Sequence, residues 1–176
     1  MIYVLSDTLK KANDKIRIKK TAAGKVIRQV QRGDEIIKRL NKYAHSADEL
    51  DCDVDVNDVI VLVSGLSGRI AVMRGINLEA DQKSDPVIIS TNPVFLETLI
   101  WLFLDFAMDA AGEGKTVSVA AGKKHEKAFI RFSGLEGLAG TEMKSFPGES
   151  EKSLLSVLNA SCAIDAASGE ILISFL

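Results

Sequence analysis

The chain is expected to adopt an α+β fold, a two-layer α/β sandwich with helices on one face of a mixed sheet, preceded by a dimerising helical element. Three observations predict it. Residues 93–111 read as a helix whose Leu96, Leu99, Ile100, Phe103, Leu104, Ala107, Ala110 and Ala111 make one broad apolar face. Residues 116–120 with 128–132, and 163–166 with 171–175, alternate as two antiparallel hairpins. The first 45 residues contain no proline and space their apolar residues by three and four. With 47% hydrophobic residues there is ample material for a core, and 176 residues suit one domain plus an appendage.

In chain order, Ile2, Leu5, Leu9, Ala12 and Ile16 form a first apolar stripe, and Val26, Val30, Gly33, Ile37, Leu40 and Ala44 a second. Each stripe is as narrow as a coiled-coil seam, so residues 1–46 are expected to dimerise or dock. The weak helix-forming stretch Arg17 to Gly24 leaves two arrangements open, a helical hairpin and one long helix. The domain proper is expected over residues 55–176. Asp48 to Asp55 reads as an acidic linker, Asn57 as a helix N-cap and Asp58 as a first-turn acid, and Gly75 as the stop of a helix over 58–73. Ile76 and Leu78, then Val87, Ile88 and Ile89, predict two strands around the polar turn 80–85. After the Asn92-Pro93 helix start and the 116–132 hairpin, residues 134–151 are glycine-rich with a short helix near Thr141. A helix over 151–160 and a hairpin turning at Ser168-Gly169 complete the chain.

A net charge of −2 gives no ground for a nucleic-acid partner. The charge is uneven, with basic residues gathered over 10–42 and acids over 48–58. Cys52 and Cys162 stand far apart without a CxxC, which fits free thiols in a reducing cytoplasm. No secretory signal opens the chain, and the apolar run Leu99 to Phe106 is far short of the roughly 18–20 residues of a membrane span. A cytoplasmic protein with no membrane partner is expected.

The phrase Leu104-Asp105-Phe106-Ala107-Met108-Asp109-Ala110-Ala111 resembles the nucleotide-holding helix of two-component sensor histidine kinases. The order of elements over residues 24–176 is similar to that family's second dimerisation helix and histidine-kinase-like ATPase domain. The helix Gly24 to Ala44, the linker Val54 to Val59 and the closing strand Ser168 to Leu176 carry the likeness. The resemblance implies Mg-ATP chemistry, and the motifs for it depart one by one. The family's paired asparagines are replaced by Leu102 and Phe106, and Phe106 has no oxygen for Mg²⁺. Its adenine loop of aspartate and two glycines aligns with Ser133-Gly134-Leu135-Glu136-Gly137, serine standing for the aspartate. Its glycine-rich phosphate loop aligns with Lys152-Ser153-Leu154-Leu155, which holds no glycine. Residues 1–23 hold no phosphoacceptor histidine; His45 reads as a helix-end partner and His125 as a solvated loop residue.

The expectation is therefore a degenerate, non-catalytic signalling module with no catalytic residue, no bound metal and no cofactor. It would form a homodimer through its N-terminal helices. Arg28, Gln31, Arg32, Lys38 and Lys42 would present the surface for a response-regulator receiver domain or another kinase. The alternative is the ATP-binding part of a sensor kinase whose phosphoacceptor lies upstream. Mg-ATP would then sit between the 96–111 helix and the 134–151 loop, on Asp105, Asp109, Ser133, Gly134 and Gly137. Other signals fall away. The stretch 109–116 ends like a P-loop but has Asp109 for its glycine and the helix on the wrong side. Asp51, Asp53, Asp55 and Asn57 start like a calcium loop that lacks its glycine and closing glutamate. Two histidines and two isolated cysteines offer no zinc spacing, and Trp101 reads as core or interface.

Overall fold

Helix α1 runs through the described residues between 23 and 41, where Asp34 and Lys38 pair at 2.8 Å along one face. The computed structural model describes residues 23–31, 33–34, 36–38, 41, 51–81, 85–113, 115–125, 127–139 and 146–176, in two units, Met1–Asn41 and Lys42–Leu176. The first apolar stripe, and with it the choice between hairpin and long helix, lies outside those residues. So do His45 and the short helix expected near Thr141.

In the second unit, β1 (Cys52–Asp55) leads directly into α2 (Val56–Arg74). Strand β1 was expected to be an acidic linker. Aspartate is a poor strand former, and β1 persists because β3 (Ile88–Thr91) pairs with it antiparallel, Cys52 opposite Thr91 and Asp55 opposite Ile88. The N-cap is likewise Asp55 and not Asn57. Asp55 Oδ1 accepts from the Asn57 amide at 3.0 Å and from the Val87 amide at 3.1 Å. One carboxylate thus starts the helix and ties it to the approach to β3. The Asn57 side chain turns away and donates to the Asp85 carbonyl. Gly75 ends α2 at φ 71°, its amide reaching Ala71 and Val72 carbonyls, as its left-handed freedom allows.

The second sheet runs β2 (Asn77–Asp81), β4 (Thr116–Lys124), β5 (Lys127–Ser133), β7 (Glu170–Phe175), β6 (Ala160–Asp165). It is mixed: β2 is parallel to β4 and every other pair is antiparallel. The two strands expected around the 80–85 turn thus enter different sheets. Both predicted hairpins form, each strand longer than alternation alone suggested, because the ladder pairing continues beyond the alternating residues. α3 (Pro93–Asp109) starts at the predicted place, with Asn92 Oδ1 accepting from the Phe95 amide. It ends two residues before Ala111. α4 (Glu149–Val157) also sits earlier than the 151–160 expected.

The core lies between the helices and one face of this sheet. Leu96, Leu99, Ile100, Phe103, Leu104 and Ala107 are fully buried on α3, facing Val117, Val119, Ile130, Phe132, Ile171 and Ile173 of the sheet. Phe103 stacks on Phe132 at 5.9 Å. By length and mean hydropathy (1.5) α2 would suit a membrane span. Its Val56, Val59, Ile60 and Val63 instead belong to this core, which is what a central helix of a globular domain requires.

Two outcomes follow from this packing. Asp55→Ala removes both amide contacts and should lower stability by about 1–2 kcal/mol in denaturant melts, whereas Asp55→Asn should retain most of it. Burial raises the Cys162 thiol from 9.0 to about 11. A folded value above the unfolded one stabilises below pH 9 and is lost as pH rises toward 11. Denaturation midpoints from pH 8 to 11 should therefore fall less for Cys162→Ala than for the parent chain.

Candidate functional site

The region in question is bounded by the middle of α3, the end of β5 with the short 3₁₀ turn Glu136–Ala139, Phe146, and α4. Its framework is held by backbone hydrogen bonds. The Gly137 amide donates to the Ala110 carbonyl at 3.0 Å, and the Leu135 amide to the Gly169 carbonyl at 3.1 Å. The loop after β5 is thereby fastened both to the end of α3 and to the β6–β7 turn. Leu135 is fully buried and Leu138 nearly so, so this loop turns its apolar side chains into the core.

Gly134 and Gly137 belong to that framework. Gly134 lies at φ 86°, and a Cβ there would run into the Thr116 carbonyl oxygen. Backbone packing is thus sufficient reason for a glycine at 134. Ser133 is half-buried and closes the β4–β5 ladder opposite Ser118.

Asp105 and Asp109 share a face, as their four-residue spacing implies, and that face meets the end of α2. Arg74 Nη2 lies 2.8 Å from Asp105 Oδ1 and Arg74 Nη1 3.2 Å from Asp109 Oδ1, and Nη1 also donates to the Asp105 carbonyl at 3.2 Å. Both carboxylates are thereby committed to a cation of the same fold. The pairs are substantially open to solvent, so they fix the α2–α3 geometry more than they stabilise it. Arg74 was legible only as a basic residue in a last helical turn; its partners lie 31 and 35 residues on.

The groove side of α3 is aromatic. The Phe146 ring stacks on Phe106 with centroids 3.7 Å apart and planes 7° apart, and meets Phe103 edge-on at 4.9 Å. Phe146 stands in the glycine-rich stretch, where nothing local announces its partners. Lys152, Ser153, Leu154 and Leu155 lie inside α4, so their amides serve a helix and form no phosphate nest. The first turn of α4 carries Glu149 and Glu151, which oppose an anion at a helix start. Among the described residues no three His, Cys, Asp or Glu side chains are grouped to hold a metal. Among the described residues, an aromatic pair stands at Phe106, where the resemblance expects a metal ligand, the helical acids are engaged by Arg74, and no glycine cradle is present.

Of the docking residues named above, Arg28, Gln31 and Lys38 are exposed on α1, Arg28 Nε donating to the Gly24 carbonyl at 3.3 Å. Arg32 and Lys42 lie outside the described side chains. His125 is an exposed turn residue at φ 50°. A framework role for the loop glycines predicts that Gly134→Ala lowers stability by about 1–3 kcal/mol in denaturant melts, through the positive φ and the Thr116 clash together.

No protein-family profile matches the chain, and no curated protein matches its sequence. Solved structures do match its fold. The catalytic domain of histidine kinase ThkA, in a nucleotide-free form, is 12% identical over 72% of this chain and 94% of its own, with a TM-score of 0.55. The histidine kinase AdeS of Acinetobacter baumannii is 13% identical over 84% and 79%, with a TM-score of 0.55. The mycobacterial sensor histidine kinase MprB is 17% identical over 71% and 95%, with a TM-score of 0.54. At such identities the likeness speaks to architecture, and the chain carries the fold of the sensor histidine-kinase catalytic domain.

Proposed function

We propose that this chain is a non-catalytic signalling module, a histidine-kinase-type ATPase fold used for dimeric docking or regulation in the cytoplasm. One observation carries the reading: Phe146 stacked on Phe106 against Phe103, on the α3 face where the resemblance expects a Mg²⁺-binding asparagine. Phosphoryl transfer is largely positioning and charge neutralisation. An apolar stack at the metal position opposes both.

The docking half of the reading rests on α1. At about 100° per residue, Val26, Val30 and Ile37 fall on one side of the helix and Arg28, Gln31 and Lys38 on the other. Val26, Val30 and Ile37 are 58–65% exposed in the single chain, a stripe suited to a second copy. The basic side would then be left for an acidic receiver domain of a response regulator or for another kinase.

Calorimetric titration of about 100 µM folded protein with Mg-ATP and with ADP should be flat, with no saturable binding at affinities of that order. A saturable isotherm would instead establish the ATP-binding alternative and overturn the non-catalytic reading. Sedimentation of the whole chain should give a dimer, and Val30→Lys with Ile37→Lys should give a folded monomer.

A further inference from the structure

A groove of about 370 Å³ lies on β3, and none of its lining residues is among those discussed for nucleotide. All four residues of β3, Ile88 to Thr91, line it. Successive strand residues point to opposite faces, so four consecutive lining residues mean that the groove runs along the edge of the strand. That edge is open. β3 pairs with β1 on one side only, and among the described residues no strand pairs with its other side. Leu158 and Phe175, 8% and 7% exposed, supply an apolar floor, and Ile88 remains 44% exposed beside it.

The rim is basic. Lys123 and Lys127 line the groove, and in sequence Lys124, His125 and one acid, Glu126, complete the same hairpin tip. The register sets Lys124 directly opposite Lys127, a like-charge pair that disfavours the hairpin. Among the described residues none of the three lysines has an ion-pair partner. A net charge of −2 for the whole chain makes this a local reversal of sign.

We propose that this groove binds an extended acidic segment of a partner protein as an added strand on β3. Main-chain hydrogen bonds to the open edge would hold the segment, apolar side chains at alternate positions would rest on Leu158 and Phe175, and carboxylates would meet Lys123 and Lys127. Charge complementarity selects this occupant over a basic or neutral peptide. The proposal stands whether or not nucleotide binds, because the two sites share no residue.

The probe is a fluorescein-labelled, N-acetylated octapeptide of alternating Glu and Val, followed by polarisation against the full chain. Saturable binding is expected, weakened about tenfold or more by Lys123→Glu with Lys127→Glu. N-methylation of the peptide's alternate amides, which removes ladder donors and leaves every charge in place, should weaken it by a similar factor of about ten. Trp101 emission and circular dichroism report that the variant is folded. Absence of binding to the folded parent chain would overturn the proposal. So would equal affinity for the N-methylated peptide, or for an anionic vesicle or single-stranded oligonucleotide of matched charge, since each would reduce the site to charge alone.

Discussion

Phe103 joins three parts of this domain that have no local reason to meet. It is fully buried on α3, stacks on Phe132 in the sheet and receives the edge of Phe146 from the far side of the glycine-rich stretch. Around it α3 buries five more residues completely, at roughly 1.5–3 kcal/mol for each large side chain withdrawn from water. The direction of α3 across the sheet follows from that face. The approach of α2 follows in turn, since Arg74 can reach Asp105 and Asp109 only when α3 lies as it does. Ion pairs of this exposure adjust the arrangement; apolar burial creates it.

Legibility in the sequence followed the length over which a pattern is sustained. α3 spans seventeen residues with an apolar face, an Asn92 cap and Pro93 at its start, and all three signals point the same way. The β4–β5 and β6–β7 hairpins were visible because alternation and turn residues agree. β1 was not, since four residues with two aspartates are too few and too polar to outweigh a linker. The cap of α2 failed for a related reason. Asp55 and Asn57 are both good N-caps, and the choice between them was made by Val87, thirty-two residues away, which needs the same carboxylate. The assignment of β2 and β3 to different sheets rests on long-range pairing, which no local window contains.

The candidate site divides along the same line. That Phe106 stands where a metal ligand was expected is visible in the chain itself. What fills the space beside it is not, because Phe146 sits forty residues on within a segment that carries no periodicity. Glu97 teaches the converse: it reads as one acid among others on α3, yet it is 3% exposed, because its position on the helix overrides its polarity. The pairing of Asp105 with Asp109 was legible from their spacing, whereas their commitment to Arg74 depends on how two helices cross.

That the fold tolerates Phe106 on the groove side of α3 has a simple physical basis. Stability is carried by the sheet-facing residues of α3, and nucleotide chemistry would be carried by a few polar residues on its groove side. A change confined to the groove side leaves the first set untouched. An asparagine there would need a metal, water or partner for its amide, whereas Phe106 needs only another ring. Phe146 supplies one, at about 0.5–1.5 kcal/mol for a well-placed aromatic pair. Ordering a single residue of loop backbone costs about 1–2 kcal/mol, so that pair alone does not hold the segment. The contact with Phe103 and the continuation into α4 must contribute the rest. The aromatic stack is therefore an extension of the core into the groove. A domain that places core there has gained one more layer of packing on the groove side of α3.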